Sequence, residues 1–259
     1  LFYGWGEPKY IAIMAFSIVF NYVFGRVIGR LRAQADEQEA LLAGAAETEA
    51  AGRNDVVGSD ENSSRQRLRR AKLAMVLCVI GNLAILGFFK YTDFLIGTVN
   101  GLLGGQLSLL HIALPIGISF YTFQTMSYII DVYWGKVPAQ RDFIAFAAYV
   151  TLFPQLIAGP IVRYTDIERE LQERKHSVTL AASGIKRFLI GLSKKVLIAN
   201  VLGELTDICL KTSQPSILSW WMYAAALVLQ IYFDFSGYSD MAIGLGRIFG
   251  FQFPENFNY

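Results

Sequence analysis

The feature that most constrains this chain is a succession of long uncharged apolar runs, three of them closed by arginine or lysine and two by aspartate. Residues 10–25, 73–89, 94–130, 143–162 and 212–233 contain no Asp, Glu, Lys or Arg. About 20 predominantly apolar residues are needed to cross a bilayer as a helix, whereas a soluble core is interrupted by polar residues at much shorter intervals. Composition agrees: 54% of residues are hydrophobic and 17% charged, against roughly 45–50% and about 25% for soluble domains. The runs predict an all-α, polytopic helical membrane protein embedded in a lipid bilayer.

Charge then speaks to topology more than to partners. A net charge of +2, with no basic stripe interleaved with stacking aromatics, argues against nucleic acid as a partner. Cys78 and Cys209 are far apart in sequence and have no nearby histidine, so no metal site is expected. Arg26, Arg30 and Arg32 follow the first run, while Arg65, Arg67, Arg69, Arg70 and Lys72 precede the second. Under the positive-inside rule this puts the intervening segment in the cytoplasm.

Residues 31–64 are rich in Ala, Glu, Gln, Asp, Gly and Ser, a composition too poor in apolar side chains to offset the entropy of ordering. The resulting division is a transmembrane segment at residues 1–30, a disordered cytoplasmic loop at 31–72 and a membrane core at 73–259. Within that core, 73–89 reads as a span. Gly101, Gly104, Gly105 and Pro115 divide the next run into an interfacial piece, 94–110, and a span, 112–130. Residues 143–162 contain Pro154 and Pro160 and have basic flanks on both sides. A re-entrant hairpin beside a cavity fits that pattern, with a proline-kinked span as the alternative.

Residues 188–203 carry Lys194 and Lys195, too much charge for a lone spanning helix but suited to the interface. With 212–233 as the last long run, the count is four spans, one hairpin and interfacial helices. The glycines of 25–29 and of 244–250 are spaced GxxxG and GxGxxxG, which suits close helix packing better than nucleotide binding. His111 and His176 have no acidic, serine or cysteine partner at a catalytic spacing.

Three stretches together, LPIGISFYTFQTMSYIIDVY (114–133), FPQLIAGPIVRY (153–164) and QIYFDFSGYSDMAIGLGRIFGFQFPENFNY (230–259), resemble those of membrane-bound O-acyltransferases. The branch they most resemble is that of the alginate O-acetyltransferases, with teichoic-acid D-alanyl transferases more distant. The resemblance implies tilted helices around a central funnel or tunnel, with re-entrant and interfacial helices. It implies an acyl group taken from a cytoplasmic thioester, acetyl-CoA as donor, and delivery to a cell-surface polysaccharide through a periplasmic or extracellular acetyl-transferring partner. The catalytic histidines implied lie in Trp-His segments beyond the ENFNY motif, so the chain reads as a fragment with no catalytic residue of its own and no metal.

What the matched motifs supply is a candidate tunnel wall: Tyr232, Asp234, Ser236, Tyr238, Ser239 and Asp240, with Gln155 and Arg163 from the second stretch. Asp234 or Asp240 would orient a histidine or hold helices together by hydrogen bonds. Arg163 would meet a donor phosphate or a lipid headgroup. A transporter or flippase subunit with a polar pathway is the reading from a different class, and D-alanyl transfer to teichoic acid a third.

Overall fold

The computed structural model describes residues 8–48, 54–105, 107–154, 156, 159–160, 162–174, 176–212 and 216–257, and among them every regular element is helical. The chain divides into two compact units, Leu1–Thr151 and Leu152–Tyr259.

In the first unit a short 3₁₀ turn, Pro8–Tyr10, leads into α1 (Ile11–Thr48), followed by α2 (Asn54–Leu103), α3 (Ile118–Tyr133) and α4 (Phe143–Thr151). The segments Pro8–Leu42 and Asn62–Leu103 are each long and apolar enough to cross a membrane. They pack along each other around a buried polar contact. Asn21 Nδ2 donates to Asn82 Oδ1 at 3.0 Å, and Asn82 Nδ2 returns a bond to Asn21 Oδ1 at 2.9 Å. Each carboxamide also donates to a backbone carbonyl one turn earlier, Ser17 O and Cys78 O. Such amide pairs join helices in lipid, where no water competes for them.

The glycines of 25–29 open a face for α3 and the chain after it. A Cβ on Gly25 would lie 2.7 Å from the Tyr128 ring, and one on Gly29 2.3 Å from the Ala139 Cβ. Tyr128 Oη in turn accepts from Gln140 N at 2.9 Å.

Three expectations are corrected in this unit. The supposed disordered loop is helical over 31–48 and again over 54–72, as the ends of α1 and α2; residues 49–53 lie outside the described residues. Ala, Glu, Gln, Leu and Arg are strong helix formers, so a composition that looked too polar to fold extends a helix that is already nucleated. Tertiary contacts support the extension: Ala35 and Ala71 are fully buried, Arg32 pairs with Asp36 at 3.2 Å, and Arg67 donates to Gln34 O.

Lys90 does not close the second span either. Its helix runs on to Leu103, and the chain beyond folds back, with Leu110 N on Asp93 Oδ1 and Leu107 N on Asn100 Oδ1. Residues 112–130 do not form one spanning helix. Pro115 and the left-handed Gly117 (φ 74°) delay α3 to Ile118, and its 16 residues reach only about 24 Å. Three candidate spans therefore stand among the described residues, where four were expected.

Helix α4 starts where Asp142 Oδ1 accepts from Ile144 N at 2.8 Å. Its nine residues cover about 14 Å, less than half a bilayer core, and it stops shortly before Pro154, as the steric restriction on residues preceding proline requires. The second unit begins with the non-helical segment that follows, then α5 (Tyr164–Gln172), α6 (Val178–Ser193), a π-helical turn (Lys194–Ala199), α7 (Asn200–Lys211) and α8 (Ile217–Ile248). The α6, π-turn and α7 segments form one continuous helical path that packs along α8. The interfacial helix expected at 188–203 is therefore the middle of a long antiparallel hairpin.

Candidate functional site

Helices α6 and α8 touch backbone to backbone at two glycine pairs. A Cβ on Gly191 would lie 2.5 Å from Gly237 O and 2.7 Å from Met241 N; one on Gly184 would lie 2.5 Å from Gly244 O. No side chain larger than hydrogen fits at either level. The GxGxxxG stretch thus serves packing: Gly244 faces α6, a Cβ on Gly246 would lie 2.6 Å from the Phe253 ring, and Gly250 (φ 81°) turns the chain after α8.

Between the two glycine levels sits Asp240, with 5% of its side chain exposed. Arg187 reaches its Oδ1 through Nε at 2.7 Å and Nη2 at 2.6 Å, and Lys194 Nζ takes Oδ2 at 2.6 Å. Lys194 also donates to Ser236 Oγ at 3.0 Å. Both carboxylate oxygens are thereby matched by cations, the condition under which a buried charge is tolerated. One level back toward the start of α8, Lys195 pairs with Asp234, both partly exposed.

The π turn starts at this lysine pair. Isolated π turns inside α-helices are frequent at functional sites.

The network continues into the segment after α8. Arg187 Nη2 also donates to Glu255 Oε2 at 2.5 Å, and Arg247 Nη2 reaches Glu255 Oε1 at 3.3 Å. Beside it, Leu152, Phe153, Pro154, Arg174, Gly246, Phe249, Phe251 and Phe253 line a small cavity of about 170 Å³. The Arg174 guanidinium lies 4.8 Å from the centre of the Phe251 ring. A larger groove of about 580 Å³ runs along α6, from Ala182 to Ile198. All of its lining residues come from one helical path, so it is a furrow in an apolar helix surface, not a chemical site.

The residues anticipated from sequence separate into three groups. Asp234, Ser236 and Asp240 are brought together with cations. Tyr232 packs edge-on against Phe257 at 5.8 Å, Tyr238 is half-buried, and Ser239 is buried with its Oγ lacking a hydrogen-bond partner among the described residues. Arg163 stands apart from the network as the N-cap of α5, its backbone N on Asp166 Oδ2 at 2.9 Å and its side chain exposed. Gln155 lies outside the described residues.

Sequence reasoning missed Arg187, Lys194, Lys195, Arg247 and Glu255. The available signal was spacing: Lys194 and Lys195 are two cations in an apolar run, and Asp234 and Asp240 two anions in another. Pairing the runs would have neutralised both.

Depth along α8 can be read from its aromatic end. Trp220 and Trp221 are exposed near the start of the helix, the amphipathic residues that favour a membrane interface. From Trp220 to Asp240 the helix rises about 30 Å, the thickness of a hydrocarbon core. The Asp240 network therefore stands toward the end of α8 away from the tryptophans, with Asp234 about 9 Å nearer to them along the helix.

The sequence pattern of the membrane-bound O-acyltransferase family matches residues 138–259. Over 100% of its length the chain is 42% identical to the probable alginate O-acetylase AlgI of Pseudomonas aeruginosa, covering 44% of that protein. It is 40% identical to the corresponding protein of Azotobacter vinelandii, with 100% of the chain and 46% of the relative covered. Against the peptidoglycan O-acetyltransferase of Helicobacter pylori the identity is 31%, over 99% of the chain and 48% of the relative. The chain thus spans a little under half the length of the curated relatives it matches.

Proposed function

This chain is a member of the membrane-bound O-acyltransferase family, and on that premise we propose that it forms part of the machinery that O-acetylates a cell-surface polysaccharide. The acetyl group comes from a cytoplasmic thioester, acetyl-CoA, and crosses the bilayer of the cell membrane. The observation that carries this reading is the similarity, over the whole chain, to alginate O-acetylases and to a peptidoglycan O-acetyltransferase.

The geometry supports a pathway wall more than a reacting centre. The basic residues Arg169, Arg174, Lys186, Arg187 and Arg247 gather toward the end of the α6–α8 hairpin that holds Asp240, which makes that end cytoplasmic by the positive-inside rule. Taken by itself, the segment 31–72 is assigned to the cytoplasm from Arg65, Arg67, Arg69, Arg70 and Lys72. The Asp240 network then forms a charge-matched collar at the mouth where an anionic donor arrives, and Arg174, over the Phe251 ring, adds positive potential beside it. Tyr232, Tyr238 and Ser239 continue the wall inward, while the tryptophan end faces the periplasmic or extracellular partner that completes the transfer.

Acetyl transfer breaks the thioester C–S bond, forms a C–O bond and needs a base for the acceptor hydroxyl proton. His111 and His176 are both exposed, and neither belongs to the network; no base is assigned to them.

The test uses sealed inverted membrane vesicles expressing the protein with its polysaccharide machinery, supplied with radiolabelled acetyl-CoA. Label should appear, ester-linked, in the enclosed polysaccharide. Polymer that remains unlabelled while the protein is folded and abundant would reject acetyl transfer, and ester-linked alanine in its place would select the D-alanyl reading.

A further inference from the structure

We infer that Arg187 is a positioning residue that clasps three elements at once, holding Glu255 so that residues 251–257 leave α8 in one fixed direction. Helix α8 ends at Ile248, and the left-handed Gly250 reverses the chain, with Phe251 N on Gly246 O at 2.8 Å. From there the segment is held at successive points. Phe251 and Phe253 are buried and stacked at 5.9 Å, Gln252 N donates to Glu170 Oε2 at 2.9 Å, and Phe257 meets Tyr232.

Between the Gln252–Glu170 bond and the Phe257–Tyr232 contact, Glu255 supplies the charged contact that ties the segment to both helices. Its two oxygens face Arg187 on α6 and Arg247 on α8, at 2.5 and 3.3 Å. Arg187 meets both carboxylates through Nη2 and adds a second donor, Nε, to Asp240, a planar arrangement that fixes the geometry of the contact. A lysine at 187 would keep the charge but lose the Nε donor and the fixed plane. The same side chain that joins α6 to α8 through Asp240 therefore also sets the exit direction of the chain.

The experiment places a nitroxide on Asn256→Cys, an exposed position beside Glu255, in the membrane-reconstituted protein carrying Cys209→Ser. The unmutated clasp should give an immobilised spectrum. Glu255→Ala, which leaves the Arg187–Asp240 pair intact, should lose most of the immobilised component, and Glu255→Asp should regain part of it. Arg187→Lys should lie between. Arg187→Ala combined with Glu255→Ala should be no more mobile than the more mobile single variant, as expected of one shared contact.

The activity arm rests on the proposed acetyl transfer. With acetyl-CoA as substrate, Glu255→Ala should lower kcat by on the order of tenfold to a hundredfold, the scale of a misplaced element, while the donor KM stays within about twofold. An immobilised spectrum in Glu255→Ala, or additive effects in the double variant, would overturn the clasp. A KM rise with kcat unchanged would make Glu255 and Arg187 a binding site instead. Absence of transfer in the parent protein, with the spectra as expected, would count against the acetyl-transfer reading alone.

Discussion

Gly191 and Gly237 face each other across α6 and α8 so closely that a Cβ on either would stand 2.5 or 2.8 Å from the other's carbonyl oxygen. Because the obstructing atoms are backbone, no rotamer change relieves the clash. Gly191→Ala should force the helices apart and cost about 1–3 kcal/mol, read as a lowered thermal midpoint in detergent. Gly97→Ala, in α2 with nothing within 4 Å of the added carbon, is the contrast. It should be neutral or stabilising by up to about 1 kcal/mol, since alanine is the better helix former. Equal effects at the two positions would contradict the close approach.

Asp234 and Asp240 carry the same charge on the same helix, yet their substitution should differ sharply. Asp240 is almost fully enclosed and its removal strands two cations. Asp240→Ala should approach the about 3–5 kcal/mol loss seen when one partner of a buried pair is removed, reduced somewhat because Arg187 and Lys194 are 27% and 31% exposed. Asp234 and Lys195 are 47% and 39% exposed, and Asp234→Ala strands one cation where Asp240→Ala strands two, so its cost should be clearly the smaller of the two. Denaturant titration of the two variants side by side decides the matter.

That contrast marks how far the sequence could be read. Asp234 and Asp240 stood out because a carboxylate within an apolar run is costly wherever it ends up. Their partners did not, since a segment was judged by its own charge, and Lys194 and Lys195 made theirs too charged for a lone span. Charge pairing between helices is a tertiary property that no single run displays. The segment 31–64 failed for a different reason. Alanine, glutamate and glutamine are common to disordered linkers and to strong helices, and only contacts such as the buried Ala35 and Ala71 distinguish the two. By contrast, the apolar runs that became α1, α2 and α8 were plain, because length and hydropathy are local.

Asn21 and Asn82 give a third test. Replacing either one with leucine leaves a carboxamide in apolar surroundings without its partner, at a cost of about 0.6–2 kcal/mol for an interhelical bond in a membrane. Replacing both removes the unsatisfied group along with the bond. The double variant Asn21→Leu, Asn82→Leu should therefore be at least as stable as the worse single variant, with a coupling of the order of 1 kcal/mol in a double-mutant cycle. Strict additivity would mean that the two amides do not meet.

The hairpin also dictates which side of the membrane its ends occupy. From Ser177 to Thr212 the path through α6, the π turn and α7 rises about 50 Å, well beyond a 30 Å hydrocarbon core, and α8 returns alongside it. Ser177 and Ser216 are exposed at opposite ends of this path. With arginine and lysine concentrated at the Ser177 end, a membrane-impermeant maleimide should label Ser177→Cys only in inverted vesicles and Ser216→Cys only in right-side-out ones. Labelling of both from the same face would mean that the hairpin lies along one leaflet. In that arrangement Lys194 and Lys195 would need no carboxylates to stay near water. The charge matching around Asp240 and Asp234 is what would let that path carry two lysines into lipid.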